Sequence, residues 1–492
     1  MNDTIAGRPS RGIWAASGRA AEFSFRRLLL PILAATALLS FVFAESGNLT
    51  AAWLTAFIFA TFILAMYGPA WVLAPILINE MTLYGFTNPT FGIAQRFVIA
   101  AIALAIALPA IFRARLSGDR YARRVVLPAI GFLAIVTLMN IQHSDDGYVY
   151  QYLRYQLVQF AILVIAACVL YTIPDMKRIA LVVAVVTTGV ALIVIWQHYA
   201  PATALYGPRD DTVKGRAVGL TKGPVPIATQ LIFVLAPMLG VLIAKPLRLR
   251  RGYLLLAGST VLTLAALNFT YTRSALFALA PALVVMGLLF GGQRRTLMIS
   301  AVIVVIVLFF GLENSGVFGS RYYEGSDEDR SAASHQALQD VSLAIALDHP
   351  LDGIGHEAFT DVSLDYIDDI AVQISADGGA SALGQQEPHN DYWNIWLSWG
   401  IVALALYIAL IVATFRNLRI AARHRDRFVR GLAIGCIGGL VAYCVNSAYH
   451  NSLDSSMSLW LYAGISIALA RLARADAASM RRQRQQTGLG AP

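Results

Sequence analysis

Charged residues are scarce in this chain. Asp, Glu, Lys and Arg make up 14% of its 492 residues, whereas hydrophobic residues make up 57%. A soluble protein of this length needs more charged side chains than that to cover its surface. The composition therefore excludes an ordinary soluble enzyme and indicates a protein that crosses a membrane many times.

Cysteine is scarce too. The three cysteines, Cys168, Cys436 and Cys444, all lie inside apolar runs. This placement excludes a disulfide framework, a CxxC redox site and a thiolate metal site, and predicts small residues packed between helices. The eight histidines form no HExxH or comparable metal-ligand spacing. We therefore expect neither a metal nor any other cofactor.

Long apolar runs are abundant. A bilayer core of about 30 Å needs roughly 20 apolar residues per helix, and the chain has about 12–14 such runs. They lie near 28–44, 51–67, 69–84, 92–112, 125–141, 155–172, 178–196, 226–244, 252–270, 272–290, 296–312, 392–415, 429–448 and 455–472. The third is the weakest, because it contains Pro75 and ends at the polar Asn79 and Glu80, so a broken or re-entrant helix is the alternative to a full span. The sequence predicts an all-α, polytopic integral membrane protein.

Basic residues flank alternate ends of these runs. They crowd the loops at 113–124 and 416–430 and the two chain ends. The positive-inside rule makes that side cytoplasmic. We predict a cytoplasmic N-terminal tail (1–27), an uncleaved first span rather than a signal peptide, and a cytoplasmic basic C-terminal tail (473–492).

One long polar segment interrupts the spans. Residues 312–390 separate the first eleven predicted spans (28–311) from the last three (391–472). The segment holds two basic residues, Arg321 and Arg330, among many acidic ones. This charge balance predicts a large loop on the non-cytoplasmic side.

The loop has a pattern of its own. Apolar residues recur at helical spacing over 330–347, which predicts an amphipathic helix. Pro350 and the pair Gly353 and Gly355 then predict its end.

His389 is the first candidate for chemistry. Asn390 or Asp391 can cap the helix that begins there. The positive end of a helix disfavours imidazolium, and a neutral imidazole is a competent proton acceptor. The alternative is an interfacial polar residue in the aromatic belt that includes Tyr392 and Trp393.

Arginines on the same side are the second set of candidates. Arg273 lies beside an apolar run in NFTYTRSALFALAP, where a guanidinium suits bidentate phosphate binding. Its alternative role is that of a snorkelling interfacial side chain. Arg216 and Lys222 lie in a glycine-containing loop that can approach a phosphate closely, or they are solvated loop charges. Arg321 and Arg330 either bind substrate or form local ion pairs.

These same stretches resemble the O-antigen ligase/polymerase superfamily of bacterial surface polysaccharide assembly. GRAVGLTKGPVPIATQ is similar to its R-x-x-G loop, and TYTRSALFALAP to its T-x-[ST]-R-[SG] signature. The run from DRSAASHQALQDVSLAIALDHPLDGIGHEAF to PHNDYWNIWLSWGIVAL resembles its loop motif P-L-x-G-x-G-x-x-x-F followed by H-N-x-[YW]. The resemblance covers 215–415. The chain departs from the pattern at 223–226, at His335 and at His356.

The resemblance implies a GT-C-like, all-helical membrane glycosyltransferase whose large periplasmic loop covers a lateral cavity. The implied donor is an oligosaccharide on undecaprenyl pyrophosphate. Arg216, Arg273 and Arg330 would bind the pyrophosphate, and His389 would deprotonate the attacking sugar hydroxyl, with inversion and without a metal. Further candidate contacts with substrate are Lys222, Arg321, Asn390, Tyr392, Trp393 and His450.

The expected function is that of an inner-membrane polymerase of exopolysaccharide or O-antigen repeat units. The alternative within the family is an O-antigen ligase that moves a finished chain to lipid A core or another acceptor. A transporter or flippase is less favoured, because it predicts charges near mid-membrane and repeated halves. The expected partners are the lipid-linked oligosaccharide, membrane lipids and other polysaccharide assembly proteins, and no nucleic acid.

Overall fold

The computed structural model describes twelve segments of the chain. They are residues 69–82, 89–114, 116–143, 146–200, 216–221, 223–244, 251–300, 302–303, 325–356, 358–370, 388–450 and 457–486. The first two predicted spans, together with Lys222 and Arg321, lie outside the described residues.

Within these segments the structure is 87% helical, with fourteen helices and no strand. In chain order they are α1 (Leu73–Thr82), α2 (Pro89–Ala114), α3 (Arg120–His143), α4 (Asp146–Val169), α5 (Ile173–Tyr199), α6 (Pro224–Ala244), α7 (Arg251–Phe269), α8 (Arg273–Phe290), α9 (292–300), α10 (Gly325–Asp348), α11 (Phe359–Ile370), α12 (Asp391–Ala421), α13 (Arg427–Asn446) and α14 (Ser458–Gln486).

Six of these helices are long and apolar enough to cross a membrane. They are α3, α5, α6, α7, α12 and α13. Shorter apolar helical stretches occur in α2, α4 and α8. The chain is therefore an all-α, multi-pass membrane protein, as its composition predicted. The weak third run contains the ten-residue α1 after a 3-10 turn at Pro69–Val72, and a full crossing there stays a prediction.

Helix α13 packs closely against α6 and α8. A β-carbon on Gly240 of α6 would collide with backbone atoms of Gly431 and Gly435 in α13. Glycine at these positions allows the two backbones to approach, which is how helices commonly associate inside a membrane. Cys436 is buried in this helix, and its thiol is free.

Helix α12 packs between α3 and α14 around a cluster of aromatic side chains. Trp399, Tyr407, Trp460 and Phe132 are fully buried. The ring centroid of Phe132 lies 6.0 Å from that of Trp399, edge to face, and 5.9 Å from that of Tyr407. The Trp399 indole donates to Asn140 Oδ1 over 3.0 Å, so its one polar group is satisfied within the core.

Basic residues gather at one end of the bundle. Arg471 of α14 donates to Asp119, just before α3, and Asn417 of α12 donates to the backbone oxygen of Tyr121. These contacts join the start of α3 to the last turns of α12 and to the middle of α14. The opposite end of the bundle holds the end of α3 and the start of α12, since Trp399 contacts Asn140.

Helix α10, which belongs to the long polar segment, packs against α12. Helix α10 confirms the predicted amphipathic helix, with Leu338, Val341 and Ile345 buried in one cluster with Leu397 of α12. Helix α11 was not predicted. The Tyr366 hydroxyl donates to Asp348 Oδ2 over 2.7 Å, and this hydrogen bond raises the pKa of Tyr366 above its usual value.

Candidate functional site

The R-x-x-G loop precedes α6 and is held by one buried glutamine. Gln197 donates to the Gly219 carbonyl and accepts from the Gly219 amide, each over 2.8 Å. Gly219 has φ +60, a conformation that favours glycine. The paired hydrogen bonds fix the loop that carries Arg216.

Arg216 lies against the turn between α7 and α8. Its guanidinium donates to the carbonyl oxygens of Thr270 (3.1 Å) and Tyr271 (3.4 Å) and to Thr272 Oγ1 (3.3 Å). A cation is favourable at these carbonyls, because they end helix α7. The half-buried Arg216 is thus placed within one turn of Arg273, the first residue of α8.

The turn itself is strained. Tyr271 has φ 49 and is the one described residue other than glycine with positive φ. A bulky side chain rarely adopts this conformation, and such residues concentrate at functional sites. Thr272 follows as the N-cap of α8. The strained turn places the positive end of α8 beside Arg216.

His450 joins this turn to the start of α12. Its Nε2 lies 2.6 Å from Ser274 Oγ, in the first turn of α8. The His450 ring lies edge-on to His389, with 6.4 Å between ring centroids. His389 is half-buried. The two histidines and the Arg273 position therefore share one end of the bundle.

Asn390 caps α12, as the sequence predicted. Its side-chain oxygen accepts from the amides of Tyr392 (2.9 Å) and Trp393 (3.3 Å). The Asp391 amide donates to the Ser447 carbonyl over 2.8 Å. The hydroxyl of Tyr392 donates to the Cys444 carbonyl over 2.9 Å. These bonds fix the start of α12, and hence His389, against the end of α13.

The P-L-x-G-x-G motif binds a break in α12. Gly400 has φ 80 and ψ 170 inside the helix, which interrupts its hydrogen bonds. The amides of Ile354 and Gly355 donate to the carbonyls of Leu397 (2.7 Å) and Ser398 (3.0 Å). In return the Ile401 amide donates to Pro350 over 2.8 Å. The loop therefore supplies the hydrogen bonds that the helix lacks.

Aromatic residues line this docking point. Trp393 stacks on Trp396 with 5.8 Å between centroids, and the Trp396 indole donates to the Pro350 carbonyl. His356 stacks on the buried Trp399, with centroids 5.7 Å apart. Stacking on Trp399 explains why position 356 carries an aromatic ring, where the resemblance suggested a small or polar residue.

The structure thus brings together some of the predicted site residues. Contacts link Arg216 to the turn before Arg273, and link His389 to His450. Arg330 lies in α10, but its side chain lies outside the described part of the structure, so its role stays a prediction. The sequence reasoning missed Ser274, although it follows Arg273 in the signature. It also missed Gln197, which has no local signal in the sequence.

A comparison with protein families adds to this geometry. Residues 258–408 match the sequence model of a family described as O-Antigen ligase. The match covers about a third of the chain. The matched region runs from the middle of α7 to the middle of α12, so it contains Arg273, Arg330 and His389, while Arg216 and His450 lie outside it.

This match agrees with the expected O-antigen ligase/polymerase superfamily. That family implies a glycosyltransferase-type enzyme that acts in the membrane on a polysaccharide or lipid-linked glycan. A search of curated proteins found no match to the chain.

Proposed function

We propose that the chain is an inner-membrane polysaccharide polymerase. It transfers a glycan from undecaprenyl pyrophosphate to a sugar hydroxyl at the periplasmic face. The observation that carries this proposal is the meeting of Arg216, the Arg273 turn, His450 and His389, which come from four separate stretches of a chain that matches the O-antigen ligase family.

The arginines stabilise the negative charge of the leaving group. A departing diphosphate develops negative charge, and fixed cations close to it lower the barrier. Arg216 is held by its hydrogen bonds to the turn, and Arg273 starts α8, whose N-terminus adds partial positive charge. Arg330, in α10, is the third cation in this proposal.

His389 accepts the proton of the nucleophile. As the acceptor hydroxyl oxygen forms a bond to the anomeric carbon, its proton passes to His389. The bond from the anomeric carbon to the diphosphate oxygen breaks, and attack from the opposite side inverts that carbon. The products are a longer glycan, undecaprenyl pyrophosphate and a proton that His389 later releases to water. The cations in this scheme are arginines, so the step requires no metal.

Sidedness agrees with this assignment. The candidate site lies at the end of the bundle opposite the contacts of Arg471 with Asp119 and Asn417 with Tyr121. Under the positive-inside rule the arginine-rich end is cytoplasmic. The site and the segment 312–390 then face the periplasm, with both chain termini in the cytoplasm.

A gene deletion tests the proposal. We would delete the gene, complement it with wild type, H389A or R273A, and separate carrier-linked and surface glycans on gels. H143A and R474A are matched controls, since both side chains are exposed and lie outside the site. We expect H389A and R273A to leave single repeat units at normal membrane levels of protein, and the controls to restore polymer.

Other outcomes are informative. Long chains that remain on the carrier would identify a ligase, which the description of the matched family also fits. Full-length polymer from both H389A and R273A would refute the proposed mechanism. An unchanged glycan profile in the deletion strain would favour the transporter reading.

A further inference from the structure

Four arginines surround one opening at the basic end of the bundle. They are Arg124 on α3 and Arg416, Arg419 and Arg423 on α12, and the opening has a volume of about 350 Å³. All four side chains are exposed. On α12 they follow the spacing i, i+3 and i+7, which places them on one face of the helix.

The two helices that carry these arginines are fixed to each other. Asn417, buried next to Arg416, donates to the Tyr121 carbonyl over 3.0 Å. Arg120 donates to the Tyr121 hydroxyl, and Arg124 lies 6.0 Å from the centre of the same ring. The opening therefore lies between two helices that hydrogen bonds hold in a fixed relative position.

The four arginines lack an acidic partner within the described part of the chain. The nearby carboxylate of Asp119 instead binds Arg471. Four like charges around one opening repel one another unless an anion binds between them.

The face next to the opening is apolar. Val412 and Ile408 lie four and eight residues before Arg416 and are 40% and 44% exposed. Leu127 lies three residues after Arg124 and is 63% exposed. Eight helical residues span about 12 Å at 1.5 Å per residue, which is enough to line part of an acyl chain.

We propose that this seam, Arg124, Arg416, Arg419 and Arg423 with the apolar face beside it, binds an acidic phospholipid. The phosphate of the headgroup lies among the guanidinium groups, which suit bidentate phosphate recognition. The acyl chains lie along Leu127, Ile408 and Val412. Basic pockets between membrane helices on the cytoplasmic side bind anionic headgroups in this way, and a free phosphate would leave the apolar face unused.

Native mass spectrometry of the purified full chain tests the proposal, with added cardiolipin or phosphatidylcholine as the probe. The test variant is R124Q/R416Q/R419Q/R423Q. The matched control, R295Q/R425Q/R427Q/R474Q, removes the same charge from exposed arginines outside the seam. We expect the test variant to lose more than about ten-fold in cardiolipin affinity and the control to stay within about two-fold of wild type, because each basic side chain at the headgroup adds to binding.

A variant that keeps the four positive charges separates a loss of binding from a loss of folding. The variant R124K/R416K/R419K/R423K keeps the charge but loses the bidentate guanidinium groups, so it should bind cardiolipin more tightly than the glutamine variant, less tightly than wild type, and unfold at the wild-type temperature. Equal loss in the test and control variants would overturn the proposal, because general surface charge would then explain binding. Phosphatidylcholine binding as tight as cardiolipin binding, or displacement of cardiolipin by an equal concentration of inorganic phosphate, would also overturn it.

Discussion

The carbonyl oxygen of Leu351 occupies the space that a β-carbon on Gly400 would need. Gly400 breaks α12, and Leu351 belongs to the motif loop that binds the break. The same loop donates hydrogen bonds to Leu397 and Ser398 and accepts one from Ile401. The motif loop and the helix break at Gly400 therefore form one structural unit. This unit sets the direction of the first part of α12, which begins beside His389.

Gly400→Ala should disrupt this unit. Alanine at φ 80 and ψ 170 carries a backbone strain on the order of 1–3 kcal/mol, and its β-carbon would displace the Leu351 carbonyl. We expect a lower unfolding temperature in detergent and loss of polymer in complemented cells.

Gly258→Ala in α7 is the matched control. A β-carbon there meets nothing within 4 Å, and alanine within a helix is about 0.5–1 kcal/mol more favourable than glycine. The control should unfold at the wild-type temperature or above it. Wild-type unfolding and polymer from Gly400→Ala would contradict the account of the loop.

The sequence predicted the individual helices better than the contacts between them. The apolar run at 429–448 gave α13 (Arg427–Asn446) to within two residues, and Asn390 marked the start of α12. By contrast, the break at Gly400 lies inside a continuous apolar run, where periodicity carries no sign of it. The break depends on a loop some 50 residues earlier, so local propensity could not reveal it.

The same holds for the candidate site, because the sequence indicated its residue types but not the contacts between them. The residue types of Arg216, Arg273 and His389 pointed to phosphate binding and proton transfer. The contact of Ser274 with His450 joins residues 176 positions apart, and only the packing of α8 against α13 brings them together. Spacing along the chain cannot predict such a contact without knowledge of which helices are neighbours.

Gln197→Ala should release the R-x-x-G loop. The substitution leaves the buried amide and carbonyl of Gly219 without their partner, and each unsatisfied group costs about 1–3 kcal/mol. We expect a lower unfolding temperature and weaker binding of the lipid-linked donor, because Arg216 loses its support. Gln197→Glu keeps the size of the side chain, but an ionised carboxylate at this buried position would face the Gly219 carbonyl oxygen, so its unfolding temperature should also fall below that of wild type. Equal temperatures for all three proteins would count against this anchor.

Arg216→Lys should not preserve function. Lysine keeps the positive charge, but its ammonium cannot reproduce the planar set of bonds to Thr270, Tyr271 and Thr272. In membrane vesicles supplied with lipid-linked repeat units, we expect a loss of about ten-fold or more in kcat/KM, equivalent to about 1.4 kcal/mol or more. Arg474→Lys, at an exposed position on α14, should leave the rate unchanged. Full activity in Arg216→Lys would mean that charge alone suffices there.

Ser274→Ala should act through His450. The hydroxyl lies 2.6 Å from His450 Nε2, and without it the His450 ring loses the contact that orients it beside His389. We expect kcat to fall about ten-fold with little change in KM, because the loss falls on the reacting geometry and not on donor binding. Ser274→Thr keeps a hydroxyl and should recover most of the rate. If the two residues act through this one contact, the double variant Ser274→Ala/His450→Ala will be no slower than the worse single variant. A double variant as slow as the product of the two single losses would show that they act independently.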